Sequence, residues 1–282
     1  WNVPLMRNEE IIERPAVQTT ITKRYTEESV RFIRENKNQP FFLYLAHNLP
    51  HVPLFTSEAF QDTSLRGLYG DVIEEIDWSV GQVLEVLRTE GLAENTMVVF
   101  TSDNGPWLVF DQHGGSAGLL REGKGTTWEG GMREPTIFWW PGRIMPGVIT
   151  DMGSTMDLFT TACKLTGADL PTDRILDGVD LSSSLFDEGE GLRKTMFYYR
   201  RTELYALRKG MYKAHFITEP VYIKDHTPTH HDPPLLFHLG EDPSEKYNIA
   251  EDHPEIIADI MQEVERHQIE LVIPESQLDR KN

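Results

Sequence analysis

The sequence predicts an α/β chain: a sheet whose strands alternate with covering helices, then a small antiparallel sheet packed with one helix. Three observations carry this. Two short apolar runs, at 41–46 and 97–100, flank a long stretch of helical spacing at 65–88, and strand, helix, strand is the grammar of a parallel sheet. Past Asp187-Glu188-Gly189-Glu190-Gly191 the runs become short, alternating and separated by turns, the pattern of antiparallel hairpins. A last stretch of helical spacing begins at Pro254. The expected division is 1–190 for the α/β part and 191–282 for a small α+β subdomain.

Taken in order, residues 1–18 read as loop. A helix is expected over 26–37, with Thr26 as its cap, Glu27 and Glu28 in the favourable first turn, and Val30 and Ile33 on its apolar face. Residues 41–46, FFLYLA, are continuously apolar and predict a strand buried on both faces. They run into His47-Asn48-Leu49-Pro50-His51-Val52-Pro53, which the prolines keep from becoming helix. In 65–88, Leu65, Tyr69, Val72, Ile73, Ile76, Val80, Val83, Leu84 and Leu87 recur at helical intervals, and Gly91 is the expected stop.

The strand at 97–100 follows, and another at 136–140 is stopped by Pro141-Gly142. Ser154 is expected to cap a helix that ends at Gly167 and carries Cys163 on its apolar stripe as a buried, inert thiol. Strands are expected at 195–199, 204–208, 211–216 and 235–239, with Lys209-Gly210 joining a hairpin. Pro254 opens the final helix, with Ile256, Ile257, Ile260, Met261 and Val264 on its inner face.

Composition limits function. There are 27 Lys and Arg against 45 Asp and Glu, a net charge of −18, which excludes a nucleic-acid partner on electrostatic grounds. No apolar run is long enough to span a membrane. One cysteine, Cys163, excludes an internal disulfide, and no Asn-x-Ser/Thr acceptor is present. No secretory signal is visible, but the chain opens at Trp1 without a methionine. An exported bacterial protein, periplasmic or extracellular, is the expectation, and a lysosomal one if the source is eukaryotic.

The chemistry concentrates in 101–135, TSDNGPWLVFDQHGGSAGLLREGKGTTWEGGMREP. It opens with Asp103-Asn104 directly behind the apolar run, where ligands of open α/β sheets collect. It continues to a lysine between glycines, Gly123-Lys124-Gly125. Hard oxygen donors at a strand end, followed by a cation on a glycine-rich loop, suit a site for a metal and an oxyanion together. By spacing alone, Asp-Asn-Gly is first of all a turn signal. His51 also lies just past an expected strand end, an independent reason to place it with Asp103.

The whole string resembles the type I, formylglycine-dependent sulfatases, whose signatures S/A-D-N-G and G-K-x-T-x-(Y/F/W)-E-G-G-x-R-E-P read here as Ser102-Asp103-Asn104-Gly105 and as the residues from Gly123 to Pro135. Counterparts extend over FFLYLAHNLPHVP, GSTMDLFTTACKLTG, KAHF and LLFHLGEDPSEKYN. The resemblance implies an alkaline-phosphatase-like fold, with 1–190 as the later part of the catalytic domain. It implies hydrolysis of a sulfate ester of a sugar or an aryl alcohol, with Asp103 and Asn104 as ligands of Ca2+ (or Mg2+). Lys124 then binds sulfate and the bridging oxygen, and His51 contacts sulfate and protonates the leaving group. His113 and His230 are further, weaker candidates for substrate contact. Arg133 and Glu129 are expected to hold the loop, and His215 to be structural.

The family's nucleophile, a formylglycine made from Cys/Ser-x-Pro-x-Arg, has no counterpart in these 282 residues. It is expected upstream, in a missing N-terminal part that is itself a partner of this chain, so the chain alone is expected to be inactive. Related enzymes are often dimers. Two other readings compete: a phosphatase or phosphodiesterase of the same superfamily, and a non-catalytic module that binds sulfated glycans.

Overall fold

The computed structural model describes residues 2–221, 223 and 226–273. The chain divides into two compact units. One comprises 1–100, 107–115 and 137–145, and the other 101–106, 116–136 and 146–282.

The first unit opens with a hairpin, β1 (Leu5–Arg7) against β2 (Glu10–Glu13), in place of the expected loop. Its apolar residues Met6, Ile11 and Ile12 are 50%, 53% and 43% exposed, so no inward-facing alternation was there to read. Helix α1 covers Ile21–Asn36, starting five residues before the expected cap. Thr26 lies inside it and faces helix α2 (Gly67–Thr89): its hydroxyl donates to Thr22 O at 2.7 Å and lies 2.6 Å from Ser79 Oγ. Thr20, at the true N-cap, makes no side-chain cap bond, so the start carries no capping signature. Helix α2 ends as expected. Gly91 is left-handed at φ +71°, and Leu92 N donates back to Leu87 O at 2.8 Å.

Strands β3 (Val98–Thr101) and β4 (Thr136–Trp139) pair in a two-stranded sheet. The run at 41–46 is not a strand, since no strand pairs with it among the described residues. Phe41 and Leu43 pack with Ile33, Val86 and Leu87, while Phe42 and Tyr44 stand 82% and 81% exposed. A run buried on both faces needs cover on both, and here one face has it.

The second unit holds helices α4 (Asp157–Thr166) and α5 (Ser182–Leu185), the single turn α3 (Glu129–Met132), and a four-stranded sheet. Its strands β5 (Thr195–Arg200), β6 (Glu203–Lys209), β7 (Tyr212–Thr218) and β8 (Thr229–His238) are antiparallel in sequence order. Gly210, at φ +58°, makes the tight β6–β7 turn. Helix α6 (Pro254–Glu270) packs Ile260 and Val264 against Leu207, Ala214 and Leu236. Helix α4 stops at Gly167, left-handed at φ +73°, and Cys163 on it is only partly buried. Among the described residues no helix is long and apolar enough to cross a membrane.

Candidate active site

In the second unit, the turn after β3 and the lysine loop form one stitched surface. Gly105 N donates to Gly131 O at 3.2 Å, and Lys124 N donates to Pro106 O at 2.9 Å. Thr126 closes the lysine loop, its amide and hydroxyl both donating to Gly123 O, at 3.2 and 3.0 Å. Gly105 is required by proximity: a Cβ there would lie 1.9 Å from Gly130 O. These contacts bring Asp103, Asn104 and Lys124 into one region, although 20 residues separate the amide from the lysine.

Asp103 is exposed and Asn104 half-buried. The Asn104 amide nitrogen donates to Gly105 O at 3.2 Å, which leaves its carbonyl oxygen for another partner. Beside them is a carboxylate that sequence reasoning did not single out. Burial and the neighbouring Asp103 push the Glu134 carboxyl up to about 7, against a hydrogen bond from Ser102. Its Oε1 is buried without a hydrogen-bond partner. Glu134 is the acid of the Arg133-Glu134-Pro135 end of the motif, so the signal for it was in the string. An orphaned carboxylate oxygen near Asp103, with the Asn104 amide oxygen following in sequence, gives hard donors that fit Ca2+ or Mg2+ better than a soft metal. The set is incomplete: among the described residues no group of three or more His, Cys, Asp or Glu could hold a metal ion.

His51 belongs to the first unit. Buried Leu49 and Leu54 anchor its loop against Val72 and Ile76 of α2, while His51 itself is exposed. Its Nδ1 lies 2.7 Å from Val52 O. A carbonyl only accepts, so Nδ1 carries a proton and Nε2 is the position left for exchange. Its ring centroid is 5.2 Å from that of Trp107. His47, four residues earlier, is different: its Nε2 lies 3.2 Å from Ser79 Oγ, and burial pulls its pKa down against the pull of Glu75. His113 is exposed at the end of a 3-10 segment in the first unit. His230 is exposed on β8 of the second unit. Its neighbour His231 lies 2.8 Å from Thr218 Oγ1 and has its pKa lowered by burial and by His230.

The family model for sulfatases matches residues 4–168, and that for the C-terminal region of aryl-sulfatases matches 191–282. The chain belongs to the sulfatase family. As a sulfatase it is 39% identical over 312 residues to N-acetylgalactosamine-6-sulfatase of Mus musculus, covering 98% of this chain and 60% of that protein. It is 40% identical over 291 residues to arylsulfatase A of Bos taurus, covering 96% and 56%. A solved Pseudoalteromonas sp. sulfatase superposes with a TM-score of 0.80 at 27% identity, covering 91% of this chain and 56% of that one. The fold is therefore the α/β, alkaline-phosphatase-like fold of sulfatases. The chain spans between 52% and 60% of the length of curated relatives such as these. Membership brings a metal ion and a formylglycine as general features of the family.

Proposed function

We propose that the parent protein hydrolyses sulfate esters, with a sulfated sugar as the substrate class, and that this chain supplies the metal-and-sulfate side of its active site. In this reading residues 1–190 belong to the catalytic domain and 191–282 form its small companion. What supports it is the pair of backbone bonds, Gly105 N to Gly131 O and Lys124 N to Pro106 O, that tie the Asp103-Asn104 turn to the lysine loop. The sugar follows from the likeness to proteins named N-acetylgalactosamine-6-sulfatase.

Asp103 and Asn104, with Glu134 beside them, would hold a hard cation. When bound, Ca2+ supplies Lewis-acid polarisation of the sulfate oxygens. The Lys124 ammonium binds a sulfate oxygen and the bridging oxygen, where charge grows as the S–O bond breaks. His51 holds Nδ1–H on Val52 O and delivers a proton from Nε2 to the departing alkoxide, which leaves as the alcohol while the ring returns to its neutral form. His113 and His230 are candidates for contact with the sugar. No residue of this chain fits the formylglycine, because Cys/Ser-x-Pro-x-Arg is absent from its sequence. The nucleophilic step is assigned to the rest of the parent.

The test is turnover of an aryl sulfate and an aryl phosphate by the full-length parent and by the 282-residue chain. The parent is expected to favour sulfate, to lose activity to a chelator, and to lose about 10²–10³ in kcat/KM on Lys124→Ala and about 10²–10⁴ on His51→Ala. The chain alone is expected to show no turnover and weak Ca2+ binding. Preference for phosphate, or turnover by the isolated chain, would overturn the reading.

A further inference from the structure

Behind the lysine loop lies a cluster of charges that the chemistry above does not use. Lys213 and Glu245 are fully buried, and Glu129 is 1% exposed. Lys213 Nζ lies 2.9 Å from Glu129 Oε1 and 3.3 Å from Glu245 Oε1. Glu245 Oε2 accepts the backbone amide of Glu129 at 2.7 Å, and its Oε1 lies 2.8 Å from His215 Nε2. Burial holds the His215 pKa down to about 4, so the ring is neutral, with Nε2–H donating and Nδ1 left without a partner. Arg208 stands 3.6 Å from the other oxygen of Glu129. Burial alone would raise the Glu245 carboxyl, but His215, Lys213 and the Glu129 amide outweigh it and hold it low.

Removing this many charges from water costs more than an apolar core of the same volume. A geometric role offers a reason for keeping them. From Glu129 a continuous path leads back to the candidate site. Gly130 N donates to Arg121 O at 2.8 Å, Gly131 O accepts from Gly105 N at 3.2 Å, and Gly105 follows Asn104. The path has no slack: a Cβ on Gly130 would lie 2.2 Å from Glu122 O, and one on Gly131 2.5 Å from Thr126 O. Arg121 adds a second tie from the lysine loop, donating to Glu245 O at 2.7 Å and lying over the Trp128 ring at 3.7 Å.

We propose that Glu129, Lys213 and Glu245 are positioning residues, through which the β-sheet subdomain fixes the Lys124 loop against the Asp103-Asn104 turn. The claim rests on the reading of that surface as the sulfate site. Both act through Glu129, Glu245 on its backbone amide and Lys213 on its carboxylate.

The test combines two measurements on Glu245→Gln, with Glu129→Gln as the second variant should the first fail to fold. Hydrogen exchange on the 282-residue chain reads loop order directly. Peptides covering 121–133 are expected to exchange at least tenfold faster, with 254–270 unchanged. In the parent, kcat/KM for an aryl sulfate is expected to fall at least tenfold, yet not to fall further when Glu245→Gln is added to Lys124→Ala. That non-additivity is the signature of acting through the lysine. Unchanged loop exchange, equal acceleration throughout the chain, or additive losses would each overturn the proposal. Full activity of Lys124→Ala alone would instead sink the sulfate-site reading, with the exchange measurement still deciding whether the cluster orders the loop.

Discussion

In the four-stranded sheet Leu207, Ala214 and Leu236 are wholly inaccessible, as is Ile260 of α6 against them, while in the segment at 41–46 Phe42 and Tyr44 stand more than 80% exposed. Both stretches are apolar in sequence. Their difference lies in the neighbours. Each strand of the sheet finds its partner one hairpin away, and α6 follows to cover a face, so residues 195–270 complete their own core. The segment at 41–46 has α1 and α2 on one side and no paired strand among the described residues. An apolar run states what burial it needs, and the rest of the fold decides whether it gets it.

The comparison breaks first at Leu236. Leu236→Ala removes atoms from a site packed by Leu207, Ile260 and Val264, and should destabilise the chain by about 3–5 kcal/mol, read from the urea midpoint at constant slope. A loss below about 1 kcal/mol would mean that the sheet is not the self-sufficient core described here.

His215 tests the polar side of the same sheet. Its pKa falls from 6.5 to about 4 on folding, chiefly because it is buried. Between those values the unfolded chain binds a proton that the folded chain does not, so stability rises with pH from about 4 to 6.5 and is lost on acidification. The span is on the order of 3 kcal/mol. His215→Asn should flatten that limb of the stability–pH curve whatever it does to stability at pH 7. An unchanged limb would show that another group carries it.

Local signals made much of this legible. Gly91, Gly167, Gly210 and Pro254 each mark the element end or start at which they stand. The glycines of the 101–135 string have a physical reason, since a Cβ on Gly105, Gly130 or Gly131 would lie 1.9–2.5 Å from a backbone oxygen. Thr26 misled because a hydroxyl that bridges two helices looks, in one dimension, like a cap. Glu134 was missed because its role depends on being half-buried beside Asp103, which spacing does not encode. The Lys213–Glu245 contact joins β7 to a loop beyond β8, and no periodicity announces such a pair.

Gly105 gives a smaller effect with a sharper address. Gly105→Ala drives a methyl group into Gly130 O, and the backbone on both sides is already hydrogen-bonded. A loss of about 1–3 kcal/mol is expected, with faster amide exchange in 121–133. A neutral result would show that the turn and the lysine loop can separate freely, and with them the two halves of the proposed sulfate site.

Phe42→Ser should do least, within about 0.5 kcal/mol in this chain, because an 82% exposed ring has little burial to lose. Its value lies in repeating it in the parent. Were the open face of 41–46 covered there, the same change would remove a buried aromatic at about 3 kcal/mol or more. A large effect in the chain alone would mean that Phe42 already has a partner. Equal, small effects in both would mean that the face stays open in the parent, and that the run is apolar for a reason other than sheet burial.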